Sequence, residues 1–296
     1  MKEIRNLKKA ARNESRIGFL LAVPALLVFS LVVLYPFLNS IIMSFTNRSL
    51  IRSSFSWVGL DNYVKIFADP NFPQVLKNTG IFVLFGTLVP FIGGLIWAVL
   101  LNQKFRGSGV LRGITLVCWI IPSTAIGFIW MWIFHGHYGI LNHVLMSLGL
   151  IQEKIIWLGR ADTAIYSVIA AKTWQSLPFA MAFILGGLQA INNDVIEAAR
   201  IDGAGNFRIF WHVVLPEIQD ILTMLLLLMV IGSIQHFDLL WVMTEGGPAR
   251  ATTTLSIEVY HRAFRSFRLG EAAAVGTIWT IILMFFGFFY LKKRVD

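Results

Sequence analysis

The chain has 296 residues, 56% of them hydrophobic and only 14% charged, with a mean hydropathy of +0.70. That balance excludes an ordinary soluble domain and points to a polytopic membrane protein. The formal net charge of +9 sits largely beside apolar runs, where it reads as a topology signal, and no nucleic-acid partner is expected.

A helix needs about 20 apolar residues to cross a hydrocarbon core. Six runs meet that need: Ile17 to Phe37, Thr79 to Leu101, Ile114 to Phe134, Ala164 to Leu188, Ile221 to Val242 and Ala272 to Leu291. The runs must be helical, because an isolated strand leaves its backbone groups unsatisfied in lipid, and the alternating pattern of an outer-membrane barrel is absent. The expected fold class is all-α. The first run follows Lys2, Arg5, Lys8, Lys9, Arg12 and Arg16. It is too long for an export signal and continues without a small-residue cleavage site, so it is expected to be a retained span.

With the N-terminus in the cytoplasm, fourteen Lys and Arg fall on the inner side and ten on outer loops. The densest clusters flank the first and last spans, the latter carrying Lys292, Lys293 and Arg294, so both ends are expected to be cytoplasmic. Residues 1–16 are expected to form a basic N-terminal segment, 17–291 a six-helix transmembrane body, and 292–296 a cytoplasmic tail. Pro24, Pro90, Pro122 and Pro178 fall inside spans, and Gly93, Gly94 and Gly232 mark places for a bend or a close neighbour. Cys118, the single cysteine, is expected to be a small buried apolar residue.

Between the fourth and fifth runs lies a more polar stretch, residues 192–217, which includes EAARIDGAGNFRIFWHVVLP. Asp194 with Glu197 three residues on approximates a capping box, and a helix placing Val195, Ile196, Ala199 and Ile201 to one side is expected to stop at Gly203. A second helical piece, NFRIFWHVV, follows and is expected to end ahead of Pro216. Such a helix-turn-helix suits docking against a partner.

EAA, a glycine four residues after the second alanine, and a closing LP resemble the signature loop of the membrane subunits of bacterial binding-protein-dependent ABC importers. YPFLNSIIMSFTN, WVGLDNY, NQKFRGSGVLRG, WQSLPF, GLQAI and TEGGPARATTTL extend the similarity over nearly the whole chain. Together they resemble the carbohydrate-uptake branch of the family, and within it the maltose-type first permease in a compact six-span form. The resemblance implies the type I importer permease fold in the bacterial inner membrane, a second permease subunit, an ABC ATPase in two copies, a solute-binding protein and a sugar-like solute. It implies an ATPase-coupling role for Glu197, Ala198, Ala199, Asp202, Gly203 and Pro216. No G-x-x-x-x-G-K-[ST] stretch occurs, so no cofactor is expected in this chain and ATP with Mg is expected on the partner ATPase.

Polar groups inside spans are costly in lipid and should face the bundle interior. Lys172, Trp174 and Gln175 in the fourth run, Gln235, His236 and Asp238 in the fifth, and Trp132 as an aromatic face are therefore candidates for the solute path. Lys172, a cation, would favour an anionic sugar derivative; pairing with Asp238 or snorkelling outward is the alternative. Gly246, Gly247 and Pro248 mark an outer turn, with the resemblance implying a place near the binding protein. His135, His137 and His143 lack a carboxylate at ligand spacing, and no metal site is expected. A secondary transporter is the alternative function, though no repeated half or acidic relay supports it and the glycine-hinged loop would be unexplained.

Overall fold

The computed structural model describes residues 19–103 and 105–295, with side chains described through Phe288. The basic segment 1–16 and the side chains of the tail lie outside the described residues. All regular elements among those described are helices, joined by one isolated antiparallel bridge between Thr46 and Trp57.

Four continuous helices are long and apolar enough to cross a membrane: α1 (Phe19–Met43), α3 (Phe72–Asn102), α7 (Ala164–Ala190) and α13 (Leu269–Val295), with the short α2 (Asp61–Ala68) between the first two. Two further passages are bent pairs. One is α4 (Ser108–Ile120) with α5 (Ser123–Ile133), joined at 98°; the other is α9 (Asn206–Glu217) with α10 (Gln219–Ile234), joined at 68°. Each pair counted as one passage gives the expected six. The remaining helices are α6 (Ile140–Ser147), α8 (Asn193–Ile201), α11 (Asp238–Thr244) and α12 (Leu255–Tyr260).

The prolines differ in effect. Pro24, Pro90 and Pro178 sit within unbroken helices, whereas Pro122 coincides with the 98° break. The residue before it, Ile121, is extended at φ −65° and ψ 131°, the conformation a following proline favours because its ring crowds the helical alternative. The fifth run departs from expectation: α10 stops at Ile234 and α11 starts at Asp238, so Ile221 to Val242 is not one helix. Gln235, His236 and Phe237, the least apolar stretch of that run, form the break. Cys118 on α4 is half-buried, not buried as expected.

The chain divides into two compact units. The first comprises the residues up to Phe67 with His261–Thr280. Its centre is Asn62, 3% exposed, whose Nδ2 donates to the carbonyls of Ser44 and Thr46, both at 2.8 Å. Nearby, the Ser44 hydroxyl and Tyr63 Oη are 2.6 Å apart, and Gly270 donates its N–H to Arg48 O at 3.0 Å. A Cβ at Gly270 would collide with the Thr46 carbonyl, which is why glycine is needed there. Arg262 pairs with Glu271 at 2.9 Å, both almost buried. Asn62→Leu would leave two carbonyls without their donor, an expected cost of about 2 kcal/mol. A lowered unfolding midpoint of the purified protein in detergent is the readout; an unchanged midpoint would show that the amide contributes nothing.

The second unit holds Ala68–Tyr260 and the residues from Ile281. Its axis is the packing of α3 on α7, where small residues allow close approach: a Cβ added to Gly94 would lie 2.6 Å from Ala180 Cβ and 2.9 Å from Met181 N. The core on one side of that contact contains Ala98, Leu101, Met181, Ile184 and Leu225. A second cluster gathers Phe82, Ile126, Val168, Leu239 and Ile257. Both are close-packed apolar interiors, and they fix the positions of the polar side chains described next.

Candidate functional site

Two places in the second unit bring the sequence-predicted residues together. The first is the loop after α7. The chain leaves α7 in an extended conformation at Ile191, and Asn192 caps α8: its Oδ1 accepts from Asp194 N at 3.0 Å. The cap is thus Asn192, not Asp194 as expected, because Asn192 is the extended residue whose carbonyl oxygen can turn back onto the first turn. Asp194 lies within that first turn, where its charge favours the positive end of the helix. Glu197 then falls beyond the position a capping box requires.

The other end of α8 explains the spacing of EAARIDG. Gly203 has φ +81°. Its N–H donates to Arg200 O at 3.0 Å, and Ala204 N donates to Ala199 O at 3.0 Å. This is the paired closure in which a left-handed residue lets the chain satisfy the last helical carbonyls, and glycine adopts that conformation without the Cβ penalty. The glycine four residues after Ala199 is therefore a helix-ending device fixed by backbone geometry. Beyond it, α9 runs past Pro216 to Glu217, not ending ahead of the proline as expected. A widened, π-type turn over Phe210–Val214 precedes Pro216, and such a turn accommodates the missing N–H inside a helix.

Glu197, Ala198, Asp202, Gly203 and Pro216 are exposed and Ala199 is half-buried. Two neighbours stand out beside them: Ile201, expected on the apolar side of α8, and Phe207, to which the sequence assigns no role. Ile201 at 86% and Phe207 at 79% are the most exposed large apolar side chains among the described residues, and they flank the Gly203 turn. Both lie beside Asp194, Glu197, Arg200, Asp202 and Arg208 in a stretch too charged to lie in lipid. Apolar side chains presented among charges mark a surface for another protein.

The second place is a cavity of about 240 Å³ between α3, α4, α7 and α10. Lys172, Gln175 and His236 line it together with Gly86, Trp119 and Ser233. Lys172 is 6% exposed, and its stem lies over Gly86, where an added Cβ would be 3.2 Å from Lys172 Cδ. Among the described residues no carboxylate pairs with Lys172, so neither of its expected alternatives, pairing with Asp238 or snorkelling outward, is found. Gln175 Nε2 donates to Ser123 Oγ at 2.8 Å, and the Ser233 hydroxyl is 2.9 Å from that of Thr87. His236 stacks on Phe82 with centroids 5.9 Å apart.

The other pathway candidates lie elsewhere. Trp174 packs edge-on against Trp130 at 6.2 Å, Trp132 is 58% exposed, and Gln235 and Asp238 are exposed at the break between α10 and α11. Gly86 and Trp119 were missed because their place in the cavity depends on how α3 and α4 pack on α7, which no local pattern records.

The turn with Gly246, Gly247 and Pro248 is folded inward. Gly247–Pro248 is cis; Thr252 Oγ1 donates to Gly247 O and Thr253 Oγ1 to Gly246 O, each at 2.9 Å. Asn78 Nδ2 donates to Arg250 O at 2.8 Å and to Thr253 O at 3.1 Å. Arg250 pairs with the buried Glu258. Exposed groups at this turn are Glu245 and Ala249. On the loop after α5, His135 stacks on Tyr138 at 3.4 Å between centroids.

Residues 90–295 match the family described as binding-protein-dependent transport system inner membrane component. The chain belongs to that family. It is 31% identical over 287 residues to the trehalose/maltose transport system permease protein MalF of Thermococcus litoralis, covering 96% of this chain and 95% of that protein. It is 32% identical over 277 residues to the sulfoquinovosyl glycerol transport system permease protein SmoG of Agrobacterium fabrum, covering 93% and 89%. Its fold matches a chain in the crystal structure of a bacterial alginate ABC transporter in complex with alginate pentasaccharide-bound periplasmic protein, with a TM-score of 0.81 at 18% identity over 96% of each chain. The helical architecture, without strands among the described residues, is the permease fold expected from the sequence. As a binding-protein-dependent ABC permease, the chain is the membrane component, and ATP hydrolysis belongs to a separate subunit.

Proposed function

We propose that this chain forms, with a second permease subunit, the path by which an ATP-driven importer carries a sugar or sugar-derived solute delivered by a binding protein. The names of MalF and SmoG, which both refer to sugar-containing solutes, support that substrate class. The chain sits in the bacterial inner membrane with both termini cytoplasmic, an orientation supported by the basic clusters at its two ends. Its body is residues 17–291, with 1–16 and 292–296 as cytoplasmic ends.

The observation that carries this reading is the exposed pair of Ile201, on the capped α8, and Phe207, on α9, in the 192–217 loop. A partner ATPase, in two copies and holding ATP and Mg, covers them, and Glu197, Ala198, Ala199, Asp202, Gly203 and Pro216 set the shape it grips. A cleft that closes on nucleotide moves such a rigid element as a unit, and linkage requires that the two states of the permease grip it differently. Lys172, Gln175 and His236 face the solute at one stage of transport. Trp174, Gln235, Asp238 and Trp132 serve the path in another arrangement of the helices, and the Gly246–Pro248 turn lies on the binding-protein side.

Affinity purification of the chain in mild detergent from its host tests the assembly. Recovery of a second permease and a P-loop ATPase is expected. Recovery of this chain alone, still moving solute in vesicles without ATP, would overturn the importer in favour of a secondary carrier.

A further inference from the structure

The geometry points to a solute that carries an oxyanion, a carboxylate, phosphate or sulfonate, which docks on Lys172 inside the 240 Å³ cavity. This rests on the chain being a solute permease and adds the charge class of what it carries. Lys172 is only 6% exposed, its stem is held against Gly86, and its Nζ lies 5.9 Å from the centroid of the Phe82 ring. It makes no hydrogen bond or ion pair among the described residues. A largely buried lysine that lines a cavity and has no protein acceptor presents its ammonium to whatever acceptor enters there.

The rest of the wall fits an anion and no cation. No Asp or Glu lines the cavity. The Gln175 amide nitrogen and the Ser233 hydroxyl are neutral and are partnered by Ser123 and Thr87, so neither offsets the charge of Lys172. His236 borders the cavity as well, with its Nε2 enclosed and without a hydrogen-bond partner. An oxyanion offers several lone pairs to the ammonium at once and forms short, charge-assisted bonds with it. A neutral sugar hydroxyl would leave the charge uncompensated. Trp119 on the same wall supplies an apolar face for the ring carrying the anion.

The test uses the complete importer complex purified in detergent, with glucuronate and glucose 6-phosphate as anionic probes and glucose as their neutral counterpart, read by thermal shift and calorimetric titration. Wild type is expected to bind the anionic probes at least roughly 10-fold tighter than glucose, and Lys172→Gln to lose roughly 30-fold in affinity for them with glucose unchanged. Lys172→Arg keeps the cation and is expected to retain anion binding to within roughly 3-fold. Equal binding of glucose and the anionic probes by wild type, or unaltered anion binding by Lys172→Gln, would overturn the inference. If ATP-driven uptake of a solute by the assembled complex holds while these results fail, only the charge class falls. If no complex with an ATPase forms, the importer itself falls.

Discussion

Ile201→Asp combined with Phe207→Asp is expected to abolish ATP-coupled transport while the chain still inserts and pairs with its second permease. Both side chains are almost fully exposed on this chain, so neither substitution removes a core contact. Their loss acts on the surface the partner ATPase covers, where an apolar anchor is worth about 2 kcal/mol and two carboxylates must also be desolvated. Roughly 30-fold weaker ATPase association per anchor is the expected result of even the milder Ile201→Ala and Phe207→Ala changes. Binding of the purified ATPase to the permease in nanodiscs is the measurement, with uptake in vesicles alongside.

Gly203→Asp and Glu197→Lys act on the same element by another route. No atom would meet a Cβ at Gly203, so the cost there is the backbone's, about 1 kcal/mol for holding an L-residue in the left-handed region. The end of α8 then frays and the rigid element becomes a loose one. Glu197→Lys reverses a charge on the exposed face of α8 without touching the core. Both are expected to uncouple hydrolysis from uptake. Normal uptake and normal ATPase binding by all these variants would refute a coupling role for the loop.

The second large effect lies at the α3–α7 contact. Gly94→Leu is expected to prevent stable folding, because even the first carbon of a side chain would stand 2.6 Å from Ala180 Cβ and 2.9 Å from a backbone nitrogen that cannot rotate away. The helices would have to part along a close-packed seam, and overpacking of one site typically costs about 1–3 kcal/mol for extra methylenes alone. Gly94→Ala is the smaller step in the same direction. Size-exclusion profile and unfolding midpoint in detergent read the effect. A Gly94→Leu protein as stable as wild type would mean that the seam opens without cost.

The contrast between Gly203 and Gly94 separates what is legible in the sequence from what is not. The left-handed role of Gly203 followed from its place after the last apolar residue of a short helix, since chain geometry at a helix end is local. The close approach at Gly94 was marked as one of several, but its partner, Ala180, lies on a different helix and no nearby residue names it. Asp194 was chosen as a cap because its pattern with Glu197 is common, whereas Asn192 won because the chain leaves α7 in the extended conformation that a cap needs.

The sequence by itself determined the all-helical membrane class, the approximate places of the spans, the family signature in the loop and the residue types able to meet a solute. Those follow from hydropathy over about 20 residues and from short-range backbone chemistry, both written in consecutive positions. Only the tertiary structure decided that Lys172, Gln175 and His236 share one cavity while Trp174, Gln235, Asp238 and Trp132 stand outside it. It also decided that the fifth run breaks at Gln235–Phe237, and that the turn after Thr244 folds inward onto Asn78. Hydropathy tells which residues leave water. It does not tell which partners they find, because a helix is apolar on several faces in lipid and its facing neighbour is chosen by side-chain shape across the seam.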